Sequence, residues 1–105
     1  MTATDTAPIS DEKLEKLTAI LEKVGLPNPD HYGFQSHVRK PENYTVGPFE
    51  WTEHSAGTRF YIYASRVTGE INHAEVVVKD GRKSSFTHSE AEIAAANAEL
   101  RALFA

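Results

Sequence analysis

The chain has 105 residues, of which 40% are hydrophobic and 25% are charged, and this balance is typical of one globular domain and not of a disordered chain. Fifteen acidic against eleven basic residues give a net charge of −4, which disfavours nucleic acid as a partner because binding to phosphates calls for a basic surface. There is no cysteine, and this excludes disulfides, thiolate metal sites and thiol nucleophiles.

The N-terminal residues 1–8, MTATDTAP, are small and polar, and we expect them to be flexible and to precede a single domain at 9–105. They lack the basic and apolar regions of a secretory signal. No apolar run approaches the roughly 18 residues that a membrane span needs. These features predict a cytoplasmic protein with no membrane contact.

A helix is predicted to begin after Ser10, which is a favourable N-cap and is followed by two acidic residues that complement the helix dipole. Gly25 can adopt the left-handed conformation that ends a helix, and Pro27 prevents its continuation. The apolar residues recur at helical spacing on one face: Leu14, Leu17, Leu21 and Val24.

Residues 27–44 are harder to assign, because they combine three turn signals with one short alternating run from Tyr32 to Val38. A structureless stretch of about 18 residues is unusual in a compact domain, so we favour an edge strand near 33–39 over an ordered loop. In either form, Tyr32 and Phe34 are candidates to cover part of a sheet or to contact a partner.

The segment PFEWTE predicts a strand with Phe49 and Trp51 on one side. Pro48 restricts this strand to the edge of a sheet, because proline cannot donate to a ladder. The next two segments, TRFYIYASR and INHAEVVV, have the composition of paired strands and predict a hairpin.

The loop of this hairpin decides which side chains share a face. A two-residue turn would place Glu75 opposite Ile62 and mix charge into the apolar side. A three-residue loop at 67–69, with Gly69 at positive φ, instead pairs Ile62 with Ala74. We favour the three-residue loop. Its apolar face carries Phe60, Ile62, Ala64, Ala74, Val76 and Val78, and its opposite face carries Arg59, Tyr61, Tyr63, Ser65, Ile71, His73, Glu75 and Val77.

A C-terminal helix follows, with two candidate capping boxes at its start. One box would join Thr87 to Glu90, and the other would join Ser89 to Glu92. The buried line of this helix is predicted to be Ile93, Ala96, Leu100 and Leu103, with Phe104 adjoining. The predicted fold class is therefore α+β: an N-terminal helix, a three- or four-stranded antiparallel sheet and a C-terminal helix, with both helices packed on one face of the sheet.

This order of elements, with AEIAAANAELRAL after KDGRKSSFTHSEAE, resembles the double-stranded RNA-binding domain. The resemblance covers 13–104 in outline and only the last stretch in detail. It implies phosphate binding by lysines at the start of the last helix, but the positions at 87–90 read Thr-His-Ser-Glu, so a carboxylate stands where cations are needed. His54 would correspond to a histidine in the loop between the first two strands of that family.

Motifs for catalysis and cofactors are absent from the sequence. There is no GxGxxG, GxxxxGK[ST] or GxSxG, so nucleotide and hydrolase chemistry has no support. None of the histidines forms an HxH or HxxxH pair, and no metal or other cofactor is predicted. Acid–base pairs are available at Asp30 with His31 and at His73 with Glu75. The five histidines are His31, His37, His54, His73 and His88.

The face with Tyr61 and Tyr63 is the best candidate site, because Tyr and Arg are enriched at protein interfaces and dominate their energetics. Cover by the chain itself and plain exposure are the alternatives. A markedly acidic face would instead indicate mimicry of nucleic acid, for which a charge of −4 is modest. The predicted binding surface comprises Arg59, Tyr61, Tyr63, His73 and Glu75, with Tyr32 and Phe34.

The leading hypothesis is a non-enzymatic binding protein that acts by protein–protein contact. Adaptors, immunity proteins and inhibitors have this character, including inhibitors from mobile elements that block a bacterial defence complex. The partner would be another protein or a larger complex, and a homodimer stays open. The alternatives are an RNA-binding domain of the double-stranded RNA-binding type and a small metal-dependent or acid–base enzyme.

Overall fold

A computed structural model describes residues 8–25, 33–53, 58–78 and 89–105. It confirms the α+β class, with helices and an antiparallel sheet in contact with each other. The elements in chain order are α1 (Asp11–Glu22), α2 (Phe34–Val38), a 3₁₀ turn (Pro41–Tyr44), β1 (Phe49–Glu53), β2 (Thr58–Ala64), β3 (Ile71–Val78) and α3 (Glu90–Leu103).

Helix α1 follows its sequence signals. The Ser10 hydroxyl accepts a hydrogen bond from the backbone N–H of Lys13 at 3.2 Å, which satisfies one of the free donors of the first turn. The helix is capped at Lys23, and Gly25, two residues beyond this cap, has a positive φ of 116°, which glycine adopts readily. Pro27 and residues 1–7 lie outside the described residues, whereas Pro8 is buried and its carbonyl accepts from Ile71 N at 2.7 Å.

The strand predicted near 33–39 is wrong, because this segment forms the short helix α2. Phe34 and Val38 are four residues apart and therefore lie on one side of a helical turn, where both are buried. Phe34 packs its ring edge-on against Trp51, with 5.4 Å between the ring centroids. Apolar residues at this spacing fit a helix as well as an edge strand, and contact with Trp51 favours the helix.

The sheet has the order β1-β2-β3, and both pairs of strands are antiparallel. The predicted pairing of Ile62 with Ala74 is confirmed, as is that of Phe60 with Val76. Trp51 pairs with Phe60 from the other side, so β1 is an edge strand whose aromatic residues face the core. The core face of the sheet is therefore continuous across all three strands.

The hairpin loop differs from the prediction by one residue. Ser65 N donates to Glu70 O at 2.8 Å, and Gly69, at a φ of 77°, donates from its N–H to Ser65 O at 2.8 Å. Four residues therefore form the loop, and not three. A bulge at Asn72 then leaves Ala64 paired with Ile71 and restores the predicted register beyond it.

The bulge also changes the face of Ile71. The prediction placed this side chain on the face opposite the core, but Ile71 is only 5% exposed and belongs to the core. Ile71 and His73 are two positions apart and would share a face in a regular strand. They point to opposite sides because the extra residue of the bulge, Asn72, lies between them.

The three α-helices of the described residues lie on the core face of the sheet. Helix α3 packs against β3, and its N-terminus is closed by the capping box of Ser89 and Glu92. Helix α1 contacts both of the other helices: Thr18 accepts from Gln35 of α2 at 3.4 Å, and Lys23, just after α1, donates from Nζ to Glu99 of α3 at 3.1 Å. Within the described residues, none of the helices is long and apolar enough to cross a membrane.

Candidate protein-binding face

None of the described helices lies on the opposite side of the sheet, which forms a separate surface, here named the outer face. Strand parity places eight side chains on it, because residues that pair across the ladder point to the same side. Val77 is the most exposed apolar member, at 41%. The outer face consists of Glu50, Thr52, Arg59, Tyr61, Tyr63, His73, Glu75 and Val77.

One half of the outer face is organised by Arg59. Its Nε lies 2.9 Å from Oε2 of Glu50 on the neighbouring strand, and its NH1 group donates to the Tyr61 hydroxyl at 3.1 Å. Glu50 is directly opposite Tyr61, so the guanidinium reaches diagonally across the ladder. An ion pair this exposed contributes at most about 1 kcal/mol to stability. Its effect is to hold three side chains in one arrangement.

The other half is organised by Tyr63. Its hydroxyl donates to Oε1 of Glu75 at 2.8 Å, and its ring lies 5.4 Å from the ring of His73 at an angle of 34°. The hydrogen bond to Glu75 raises the pKa of Tyr63, and desolvation and the carboxylate charge act in the same direction. Tyr63 therefore remains a donor, and the Glu75 carboxylate is held in place by it.

These contacts fix both tyrosine rings and their charged neighbours before any partner arrives. Tyrosine offers a large, partly apolar contact area with few rotatable bonds, so little entropy is lost when it is buried. The outer face thus combines two oriented rings, two positioned carboxylates and one guanidinium. This combination is suited to recognition of a protein surface.

The structure brings five of the predicted site residues together on the outer face: Arg59, Tyr61, Tyr63, His73 and Glu75. Phe34 does not join them, and its assignment to the binding surface is corrected, because it is 0% exposed and lies in the core on the other side of the sheet. Tyr32 lies outside the described residues. Glu50 is the main addition, since its place beside Tyr61 depends on the register of β1, which the sequence left open.

The described histidines do not form a metal site. His37 lies in α2 beside Trp51, with 5.9 Å between the ring centroids, whereas His73 lies on the outer face. In the part of the chain that the structure describes, no group of three His, Asp or Glu residues could hold a metal ion. The remaining candidates lie outside that part: Asp30, His31, His54 and His88.

Comparison with protein families, with curated proteins and with solved structures finds no match for this chain. A function for this chain is therefore inferred from the geometry and chemistry of the described residues.

Proposed function

We propose that this chain is a non-enzymatic binding protein that contacts another protein through the outer face. The observation that carries the proposal is the hydrogen-bonded arrangement of Tyr61 and Tyr63. Each hydroxyl is held by a charged neighbour, Arg59 or Glu75, on a side of the sheet that the described helices do not occupy. Fixed aromatic rings among charged groups are typical of the residues that dominate interface energetics.

The proposed partner is another protein to which this chain binds as an adaptor, or a larger complex that it inhibits. A chain of 105 residues with a net charge of −4 and no cofactor motif suits a protein that works by covering a surface. Immunity proteins and inhibitors have this character, and an inhibitor of a bacterial defence complex, encoded by a mobile element, is one form that we propose. The partner would present hydrogen-bond donors to the carboxylates of Glu50 and Glu75.

A second candidate is double-stranded RNA binding, which the order of the elements favours. One helix, three antiparallel strands and a final helix on the same side of the sheet match the arrangement that the sequence resemblance implies. The first turn of α3 argues against it, because Glu90 and Glu92 would face phosphates there. The additional helix α2 is a further departure.

The test compares two variants with the wild type for binding to proteins of a native lysate and then, by calorimetry, to the purified partner. Tyr61→Ala with Tyr63→Ala removes both rings of the outer face. Glu12→Ala with Lys16→Ala is the control, because it removes an exposed ion pair of α1 on the opposite side of the molecule. We expect the first variant to stay folded at the assay temperature, with Tm lowered by the loss of the cross-strand contacts of Tyr63, and to lose about 2 kcal/mol or more of binding, about 30-fold in Kd, whereas the control should bind normally.

Equal binding by the two variants would contradict the proposal. RNA is tested in parallel with a duplex of random sequence. Affinity for this RNA that falls steeply between about 50 and 200 mM salt would support the second candidate instead.

A further inference from the structure

The two edges of the sheet are treated differently by the rest of the chain. On β3, the side-chain amide of Asn97 bonds to both backbone groups of Val76. Val76 N donates to Oδ1 of Asn97 at 2.8 Å, and Nδ2 of Asn97 donates to Val76 O at 3.1 Å. Near the start of the same strand, the Pro8 carbonyl accepts from Ile71 N. A foreign strand could pair along β3 only by displacing both contacts, so this edge is obstructed.

The bonds of Asn97 also reveal which backbone groups point outward on β1. Because the N–H and carbonyl of Val76 point away from β2, those of its partner Phe60 must point towards β1. Trp51, which pairs with Phe60, therefore directs its own groups inward to β2. Its neighbours, Glu50 and Thr52, direct theirs outward, and among the described residues no group bonds to them.

We propose that β1 pairs with β1 of a second copy of this chain, antiparallel and centred on Trp51, to form a closed dimer with one six-stranded sheet. A second copy is favoured because each chain has one obstructed edge and one that no described group bonds to. Contact between β1 and β3 of another copy would build an open filament, and Pro8 and Asn97 oppose it. Contact between two β1 strands closes on itself.

The register follows from hydrogen bonding and charge. A two-fold axis at Glu50 would set this carboxylate directly opposite its copy, which is unfavourable. A two-fold axis at Thr52 would pair Thr52 with its own copy, and this would be the one pair of β1 residues whose outward-facing backbone groups could bond to each other. An axis at Trp51 pairs Glu50 with Thr52 of the second copy in both halves, so four N–H···O bonds form and no like charges face each other.

The side chain of Trp51 adds to this arrangement. It is half-buried in one chain, and at the axis it would lie beside its copy in a pair without mutual hydrogen bonds, where the Cα atoms approach to about 4.5 Å. Aromatic pairs of this kind stabilise neighbouring strands. The dimer does not depend on the proposed function, because the outer faces of both copies remain open on one side of the larger sheet.

Sedimentation velocity between about 1 and 500 µM tests the proposal, since association of identical chains depends on concentration. Thr52→Glu faces Glu50 of the second copy, and we expect its dimer to weaken about 10-fold or more, whereas the dimer of Thr52→Lys strengthens. Within one chain the two substitutions have the opposite effects, because Thr52 pairs with Arg59. Thr52→Glu should stabilise the monomer by attraction to Arg59, and Thr52→Lys should destabilise it by repulsion. An effect on monomer stability therefore cannot imitate the result. Ala98→Glu, on the exposed side of α3, is the matched charge control and should associate like the wild type.

Amide hydrogen exchange provides an independent measurement. The N–H groups of Glu50 and Thr52 should gain about 10-fold protection or more in the concentrated sample, whereas that of Trp51 is already bonded to β2 and should not change. A wild type that stays monomeric at every concentration would overturn the proposal. So would loss of association in the variant Tyr61→Ala with Tyr63→Ala, since association would then run through the outer face.

Discussion

The side-chain amide of Asn97 occupies the place of a fourth strand beside Val76, accepting from its N–H and donating to its carbonyl. Helix α3 is thereby fixed to the edge of β3 by two hydrogen bonds as well as by apolar packing. We expect Asn97→Ala to lower the free energy of unfolding by about 1–3 kcal/mol, because two partly buried backbone groups lose their partners. Chemical denaturation measures this loss. Arg101→Ala, at an exposed position of the same helix, should change stability by less than about 0.5 kcal/mol.

Tyr63 should make the stability of the fold depend on pH in the alkaline range. The hydrogen bond to Glu75 raises the pKa of this phenol in the folded state above the unfolded value of about 10. The contribution of the bond is therefore complete below about pH 10 and is lost as the pH rises through the folded-state pKa. The Tm of the wild type should exceed that of Tyr63→Phe by a constant margin from about pH 7 to 9, and the margin should close above about pH 10.

Glu75→Gln serves as the control for this titration. With the carboxylate removed, substitution of Tyr63 by Phe should cause a smaller change in Tm, with a weaker dependence on pH. A margin that widens with rising pH would show that the Tyr63 hydroxyl is not the donor to Glu75.

Deletion of single residues should distinguish the bulge from the regular ladder. Removal of Asn72 eliminates the unpaired residue and leaves the face of every neighbour unchanged, so we expect a folded protein with a cooperative thermal transition. Removal of Glu75 instead shifts the preceding residues by one position, so that Ala74 moves to the outer face and His73 to the core. Circular dichroism with thermal denaturation measures both. Similar stability of the two deletions would contradict the assigned register.

Phe34 should behave as a core residue and not as a contact residue. Phe34→Ala leaves a cavity against Trp51, and we expect a loss of about 3–5 kcal/mol in the free energy of unfolding. Ser36→Ala, exposed on the same short helix, should have an effect below about 0.5 kcal/mol. If Phe34→Ala kept its stability and weakened binding to a partner, the original assignment of Phe34 to the binding surface would be restored.

The parts of the fold that were predictable from sequence are those with local signals. Ser10 and Ser89 mark the starts of α1 and α3 through caps that involve residues three positions away. The pairing of β2 with β3 was predictable because only one register keeps charge away from the apolar face. The same register identified Tyr61 and Tyr63 as neighbours of Glu75 and His73.

The errors have a common physical origin in contacts between distant residues. Helix α2 is stabilised by the contact of Phe34 with Trp51, which lies 17 residues further along the chain, and no local sequence pattern predicts that contact. The four-residue loop and the bulge at Asn72 compensate each other, so the pairing beyond the bulge is the same with or without them, and the pattern of alternation predicts the wrong face only next to the loop, at Ile71. Asn97 reaches β3 across 21 residues, and its sequence context indicates only a helix.

Trp51 is the single tryptophan of the chain, and it contacts α2 on one side while lying in the edge strand β1. Its fluorescence therefore reports the docking of α2 without any label. One intrinsic chromophore thus gives a direct optical signal from both the helical layer and the edge of the sheet.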